Sequence, residues 1–269
     1  MERSSIVKFD FKSEQLRDTL KPVCDRILEH FALPQLRLYC YFASEEDPEL
    51  RKDVGQFYRG FFSYREGASE LPNYLQQCFL RSEDEFAQIP TNITYESMVA
   101  FDCLIYVRNR TCRDVTGCAS TFAHELQHFM QYGYSRKVWA ANTILYQRIR
   151  AYGNTTATVI DIPHERDANI VSKRVAEAVC GREAVRVFAE GRVRQFTDIA
   201  VQGYDDAKAE RARWEFFRDV SSSTRFDVLA ATIPLVEKYN FALSTDEDEF
   251  SKQLREEFSI DFSHPQWWI

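Results

Sequence analysis

The chain has 269 residues, of which 45% are hydrophobic and 14% aromatic, and its formal net charge at pH 7 is -7. This hydrophobic content excludes a disordered polar chain, and the acidic balance argues against generic nucleic-acid binding. Gly and Pro are few and scattered, so the sequence shows no flexible linker and predicts a single domain over residues 1–269.

Residues 1–110 are expected to form mostly sheet plus helix. Strand-forming and helical patterns alternate along this part of the chain. The predicted elements are a strand at 6–11, a helix at 13–31, a strand at 36–42, a strand or hairpin arm at 56–65, a short helix at 71–80 and strands within 95–107.

Residues 111–180 contain the motif around which the prediction is built. His124, Glu125 and His128 form the pattern His-Glu-x-x-His. Residues four apart lie on one face of a helix, so the two imidazoles can bind one metal ion. Glu125 would then lie beside that ion, where it can accept a proton from metal-bound water. The competing interpretation is an ordinary helix that carries two His by chance.

A helix over residues 116–132 is predicted around this motif. Its apolar stripe is formed by Phe122, Leu126 and Phe129, at the spacing that packs a helix on a core. Thr116 is expected to cap the helix start and Gly133 to suit its end.

A catalytic zinc site needs a third protein ligand and one open position. The best source is the stretch 161–169, where Pro163 signals a helix start and Glu165 falls in the first turn. Asn169, one turn later, can hold that ligand in position without binding the metal itself. Glu165 could instead be an ordinary acidic residue that is favourably placed against the helix dipole. The competing third ligands are Asp161, His164 and Asp167.

The rest of the chain reads as helical. A connecting helix at 138–149 and a Thr-rich loop at 153–162 precede the second metal helix, and residues 181–269 form a helical C-terminal part. The helices predicted there lie at 185–200, 207–220, 226–239 and 245–258. The aromatic terminus at 262–269 is expected to dock on the core, although it could also bind a partner or plug a cleft.

Seven Cys in no framework spacing, no signal-peptide pattern and no long apolar run predict a cytoplasmic protein. Cys112 and Cys118 lie near the start of the motif helix. They could touch a metal or act as redox-sensitive thiols, but buried spectator Cys are the favoured interpretation.

His124-Glu125-x-x-His128 followed by Glu165-x-Asp167-Ala168-Asn169 resembles the zincin metallopeptidases of the gluzincin type. It is most similar to those with E-x-x-A-[D/N] on the second helix, including the ImmA/IrrE-like bacterial proteases. The resemblance covers about residues 101–180. It implies that His124, His128 and Glu165 bind Zn²⁺ and that Glu125 is the general base and acid. It also implies a zincin-like α+β fold with a small mixed or antiparallel sheet on the motif helix.

The expected function is therefore that of an intracellular zinc metallopeptidase with a narrow protein or peptide target, bound neither to membrane nor directly to nucleic acid. The alternatives are a regulatory or partner-binding protein that retains a zincin-like site, and a non-proteolytic zinc amidase. Hydrolysis also needs a group that stabilises the oxyanion. The candidates for it are Tyr132, Tyr134, Tyr204 and His164.

Overall fold

The computed structural model describes residues 7–42, 60–64, 102–107, 109–151, 160–200, 205–239 and 249–262. Within these ranges the chain forms four strands and nine helices, so the protein is mostly helical with one small sheet. The predicted α+β class is confirmed at this level.

The sheet contains β1 (Val7–Phe11), β2 (Leu38–Phe42), β3 (Gly60–Tyr64) and β4 (Cys103–Val107), in the order β1-β2-β4-β3. The first three strands in that order run parallel, and β3 runs antiparallel to β4. The sheet is therefore mixed, as expected. All five residues of β2 are buried, which explains why β2 reads as a continuous apolar run rather than as an alternating one.

The helices follow the predicted order, with one addition. They are α1 (Glu14–Leu28), α2 (Asn109–Cys112), α3 (Val115–Tyr134), α4 (Arg136–Ala151), α5 (Pro163–Cys180), α6 (Arg182–Ala200), α7 (Asp205–Asp219), α8 (Val228–Tyr239) and α9 (Glu249–Glu257). The addition is α2, a single turn where a polar loop would have been expected. The predicted helices at 13–31, 138–149, 185–200, 207–220 and 226–239 are each present with small shifts at their ends. The described part of the helix predicted at 245–258 is helical over Glu249–Glu257.

The two ends of the motif helix differ from the prediction. Helix α3 begins at Val115, and the Gly117 N–H donates to the Asp114 carboxylate at 2.7 Å. Asp114, rather than Thr116, is therefore the capping residue. Gly133 lies inside the helix instead of ending it, because α3 continues to Tyr134 and α4 begins at Arg136.

The sheet packs on α3 through aromatic side chains. The ring of Phe122 lies 5.9 Å from that of Phe9 and 5.5 Å from that of Phe42, measured between centroids. Phe11 stacks on Phe42 at 4.6 Å. Phe122 and Phe42 are completely buried. This contact fixes which face of α3 is turned away from the sheet.

The chain divides into two compact units: Met1–Phe129 with Val175–Ala184, and Met130–Arg174 with Val185–Ile269. The first contains the sheet and α1. The second contains α4 and α7 to α9, with aromatic contacts between Tyr132 and Trp139 and between Trp214 and Phe217. The single domain over 1–269 stays a prediction.

Several predicted features lie outside the described residues. They are the helix at 71–80, the first part of the strands within 95–107, most of the loop at 153–162 and the aromatic terminus after residue 262. Among the helices that are described, none has the length and apolar character needed to cross a membrane.

The described cysteines carry free thiols, and Cys112 and Cys118 are buried as predicted. Burial raises the pKa of the thiols of Cys24 and Cys40.

Since the thiolate is the reactive form of cysteine, we expect iodoacetamide to leave Cys24 and Cys40 unmodified in the folded protein at about pH 8 and to modify both in guanidinium chloride. Peptide mass spectrometry checks this, with the partly exposed Cys180 alkylated first. Rapid modification of Cys40 in the folded state would contradict it.

Candidate metal centre

Helix α3 places two imidazoles next to each other. The Nε2 atoms of His124 and His128 lie 3.1 Å apart, and the two rings are nearly perpendicular, with an interplanar angle of 87°. The side chains are only 4% and 7% exposed. The geometry is that predicted from the four-residue spacing.

The apolar stripe explains why the imidazoles share a buried face. Phe122, Leu126 and Phe129 are all completely buried, as their helical spacing predicted. With this stripe turned to the core, the rotation of α3 is set, and the face that carries His124 and His128 follows from it.

Glu165 lies close to the two histidines. Pro163 is the first residue of α5, where its fixed φ favours helix formation and its missing N–H costs nothing. Glu165 falls in that first turn. One potential ligand atom from each of His124, His128 and Glu165 lies within 4.8 Å of the others, and no second group of this kind occurs among the described residues. The three residues predicted to bind metal are therefore brought together.

The three other candidates for the third ligand occupy different positions. Asp161 is exposed. Asp167 accepts a hydrogen bond from the Gln131 side-chain amide at 2.8 Å. His164 is buried, and its Nε2 lies 3.5 Å from Glu165 Oε1, which places it beside the ligand group rather than in it.

The donor set fits a divalent metal ion. Two imidazole nitrogens and one carboxylate oxygen leave room for a fourth ligand, the pattern of an open site. With Zn–N bonds of about 2.0–2.1 Å in a tetrahedral site, two nitrogens lie about 3.3 Å apart. The 3.1 Å between the histidine nitrogens is close to that value, so the two imidazoles would need to move little to bind one metal ion.

Glu125 follows His124 directly on α3 and is 7% exposed. A general base has to lie within hydrogen-bond reach of the proton that it accepts, and a buried carboxylate beside the histidine pair could meet a water molecule held there. The catalytic role of Glu125 stays a prediction from the motif.

The first turn of α5 is held by side chains that sequence reasoning missed. Gln131 Nε2 donates to the backbone carbonyl of His164 at 3.0 Å, in addition to its bond with Asp167. The His164 N–H donates to Asn142 Oδ1 at 3.3 Å, and Asn142 in turn donates to Thr232 Oγ1 at 2.8 Å. Gln131 lies three residues after His128 on the same helix face, and that spacing could have revealed it.

Asn169 was predicted to steady the third ligand, and its contacts agree with that role. Its side-chain amide donates to the backbone carbonyl of Glu165 at 2.9 Å, and Asn169 is 1% exposed. It acts on the main chain that carries Glu165, not on the carboxylate itself.

The oxyanion candidates now differ in position. Tyr132 is buried, with its ring 5.3 Å from that of Trp139, whereas Tyr134 is 61% exposed. Tyr204 lies outside the described residues. His164, next to Glu165, is the candidate that the structure places beside the ligand group.

The chain matches no protein-family model, no curated protein and no solved structure in comparisons with each. The resemblance to zincins, which comes from the motif, stays a prediction.

Proposed function

We propose that the protein is a zinc-dependent metallopeptidase that hydrolyses a narrow set of protein or peptide targets inside the cell. The observation that carries this proposal is the convergence of His124, His128 and Glu165, contributed by two helices, with Glu125 adjacent to the first histidine.

Zinc is the metal that this donor set favours. Imidazole nitrogen with one carboxylate is a frequent combination for catalytic zinc, whereas Mg²⁺ and Ca²⁺ prefer sites built from oxygen alone. Three protein ligands, rather than four, also distinguish a catalytic site from a structural one. The buried histidines would bind as neutral imidazoles, since a protonated ring nitrogen cannot donate its lone pair.

Each residue then has a defined task. When bound, the zinc ion supplies Lewis-acid polarisation of a carbonyl and lowers the pKa of a water molecule. His124, His128 and Glu165 hold the ion. Glu125 accepts the proton of the attacking water and delivers it to the leaving amine. We assign stabilisation of the developing oxyanion to His164, because of its place beside Glu165.

Metal removal tests this proposal. We expect the purified protein to contain about one zinc ion per chain, measured by elemental analysis, and to cleave members of a proteome-derived peptide library, measured by mass spectrometry. Treatment with a chelator should stop cleavage, and an equimolar amount of zinc should restore it. The same chelator added to a zinc-independent protease provides the control.

Three results would count against this proposal. Undiminished cleavage by protein shown to be metal-free would remove zinc from the mechanism. Tight zinc binding with no cleavage of any peptide would favour the alternative in which the site serves regulation or partner binding. Hydrolysis confined to non-peptide amides would favour the amidase.

A further inference from the structure

Helix α7 lies along α5, and Arg213 is the residue that reaches the metal-ligand turn. Its Nε donates to Asn169 Oδ1 at 3.1 Å. The same Asn169 donates to the backbone carbonyl of Glu165 at 2.9 Å. A continuous chain of hydrogen bonds therefore joins α7 to the residue that supplies the third ligand.

Arg213 and the Glu165 carbonyl together fix the orientation of this asparagine. A side-chain amide can be turned with either its oxygen or its nitrogen toward a neighbour. Guanidinium can only donate, so Arg213 requires the oxygen of Asn169 to face it. The nitrogen of Asn169 is then directed at the Glu165 carbonyl. Without Arg213, the amide loses its second partner and is free to rotate away from the Glu165 carbonyl, because Asn residues inside helices have several local alternatives.

Arg213 is itself held in place. Its guanidinium lies 5.7 Å from the centre of the Trp214 ring, and Nη1 lies 3.6 Å from the Glu210 carboxylate. The side chain is 15% exposed. The aromatic face and the carboxylate offset the cost of removing the charge from water. The group is therefore preorganised toward Asn169 rather than swinging in solvent.

Two further contacts lock α7 and the turn after it onto α5. Arg166 stacks its guanidinium over Phe216 at 5.2 Å. Lys173 donates to the backbone carbonyls of Arg218 and Val220, both at 2.6 Å. Arg166, Asn169 and Lys173 are spaced three and four apart, so one face of α5 is fastened to α7 at three successive turns.

We propose that Arg213 is a positioning residue for the metal centre, which holds the first turn of α5 through Asn169 and so presents Glu165 at the distance the metal requires. This inference rests on the metal-binding part of the proposed function and not on peptide hydrolysis. Arg213 touches no reacting atom in this account.

Zinc affinity in an Arg213→Met variant tests it. Loss of a hydrogen-bonding partner that contacts a metal ligand directly lowers metal affinity by about 10–100-fold. Arg213 acts one hydrogen bond further out, so we expect a loss at the lower end of this range, measured by competition with a chromophoric chelator. The matched control is Arg211→Met on the same helix, where the guanidinium pairs with Glu215 at 2.9 Å on an exposed face. It makes the same change of charge and should keep the affinity of the unchanged protein.

Two further measurements distinguish positioning of the metal ligand by Arg213 from a general contribution of Arg213 to stability. The visible absorption spectrum of bound Co²⁺ reports ligand geometry, and it should change in Arg213→Met but not in Arg211→Met. Thermal unfolding of the metal-free proteins shows that affinities are compared well below each melting temperature. If Arg213→Met does not fold, Arg213→Gln keeps a polar side chain whose amide can accept as well as donate. It no longer requires the oxygen of Asn169 to face it, and it should also lower the zinc affinity.

The possible outcomes are distinct. Zinc affinity and a Co²⁺ spectrum unchanged in a folded Arg213 variant would overturn the inference while leaving the metallopeptidase proposal intact. Zinc bound by the unchanged protein and weakened by Arg213→Met, with no peptide cleaved, would support the inference and defeat the peptidase. A protein that binds no zinc at all would defeat both.

Discussion

Replacing Glu125 with Gln is expected to abolish peptide cleavage while leaving zinc in place. Gln has nearly the same shape as Glu but cannot accept a proton from water. General acid–base groups contribute about 10²–10⁴-fold to rate, so the cleavage rate should fall by at least about 10²-fold. Zinc content should stay at about one ion per chain, because Glu125 is not among the three grouped ligands. Initial rates and elemental analysis of the same sample measure both quantities.

Two variants make this result specific. His124→Ala should lose both zinc and cleavage, because it removes one of the grouped ligands. Glu190→Gln removes one negative charge from an exposed surface pair with Arg186 and should change neither. Glu125→Gln cleaving at the rate of the unchanged protein would defeat the assigned mechanism. Glu125→Gln losing zinc would instead indicate that Glu125 supports the ligands.

Replacing Phe122 with Ala is expected to lower the free energy of unfolding by about 3–5 kcal/mol, the usual cost of removing a buried aromatic ring. Phe122 is completely buried and its ring contacts those of Phe9 and Phe42. Its removal leaves a cavity where the sheet meets α3. Urea unfolding followed by circular dichroism measures the change.

The control for this prediction is Tyr134→Ala, an aromatic truncation on the same helix at a position that is 61% exposed. Its effect should stay within about 0.5 kcal/mol. A loss from Phe122→Ala no larger than that of the control would show that the sheet does not depend on this contact. Because α3 carries both histidines, we also expect Phe122→Ala to weaken zinc binding, and Phe122→Leu to weaken it less.

Much of the candidate site follows from local pattern. The four-residue spacing of His124 and His128 places them on one helix face, and the stripe through Phe122, Leu126 and Phe129 predicts which face is buried. Pro163 marks the start of α5 two residues before Glu165. These features depend on helix geometry within a few turns, and such geometry is readable in the sequence.

Local signals were less reliable at helix ends. Thr116 and Gly133 are both residue types that favour helix termini, yet Asp114 caps α3 and Gly133 lies inside it. Neighbouring side chains can cap the same N–H groups at a helix start. Which of them does so depends on the direction from which the preceding backbone enters the helix.

The sequence alone determined most of the described helices and strands, though not α2 or the exact helix ends, together with the motif and the residues that could bind metal. Each of these depends on neighbours along the chain. Only the tertiary structure decided the strand order β1-β2-β4-β3 and the support of α5 by Asn142 and Arg213. Arg213 lies 44 positions from Asn169, and Asn142 lies 22 from His164. Contacts over such separations arise from how helices and strands pack, and no local spacing records them.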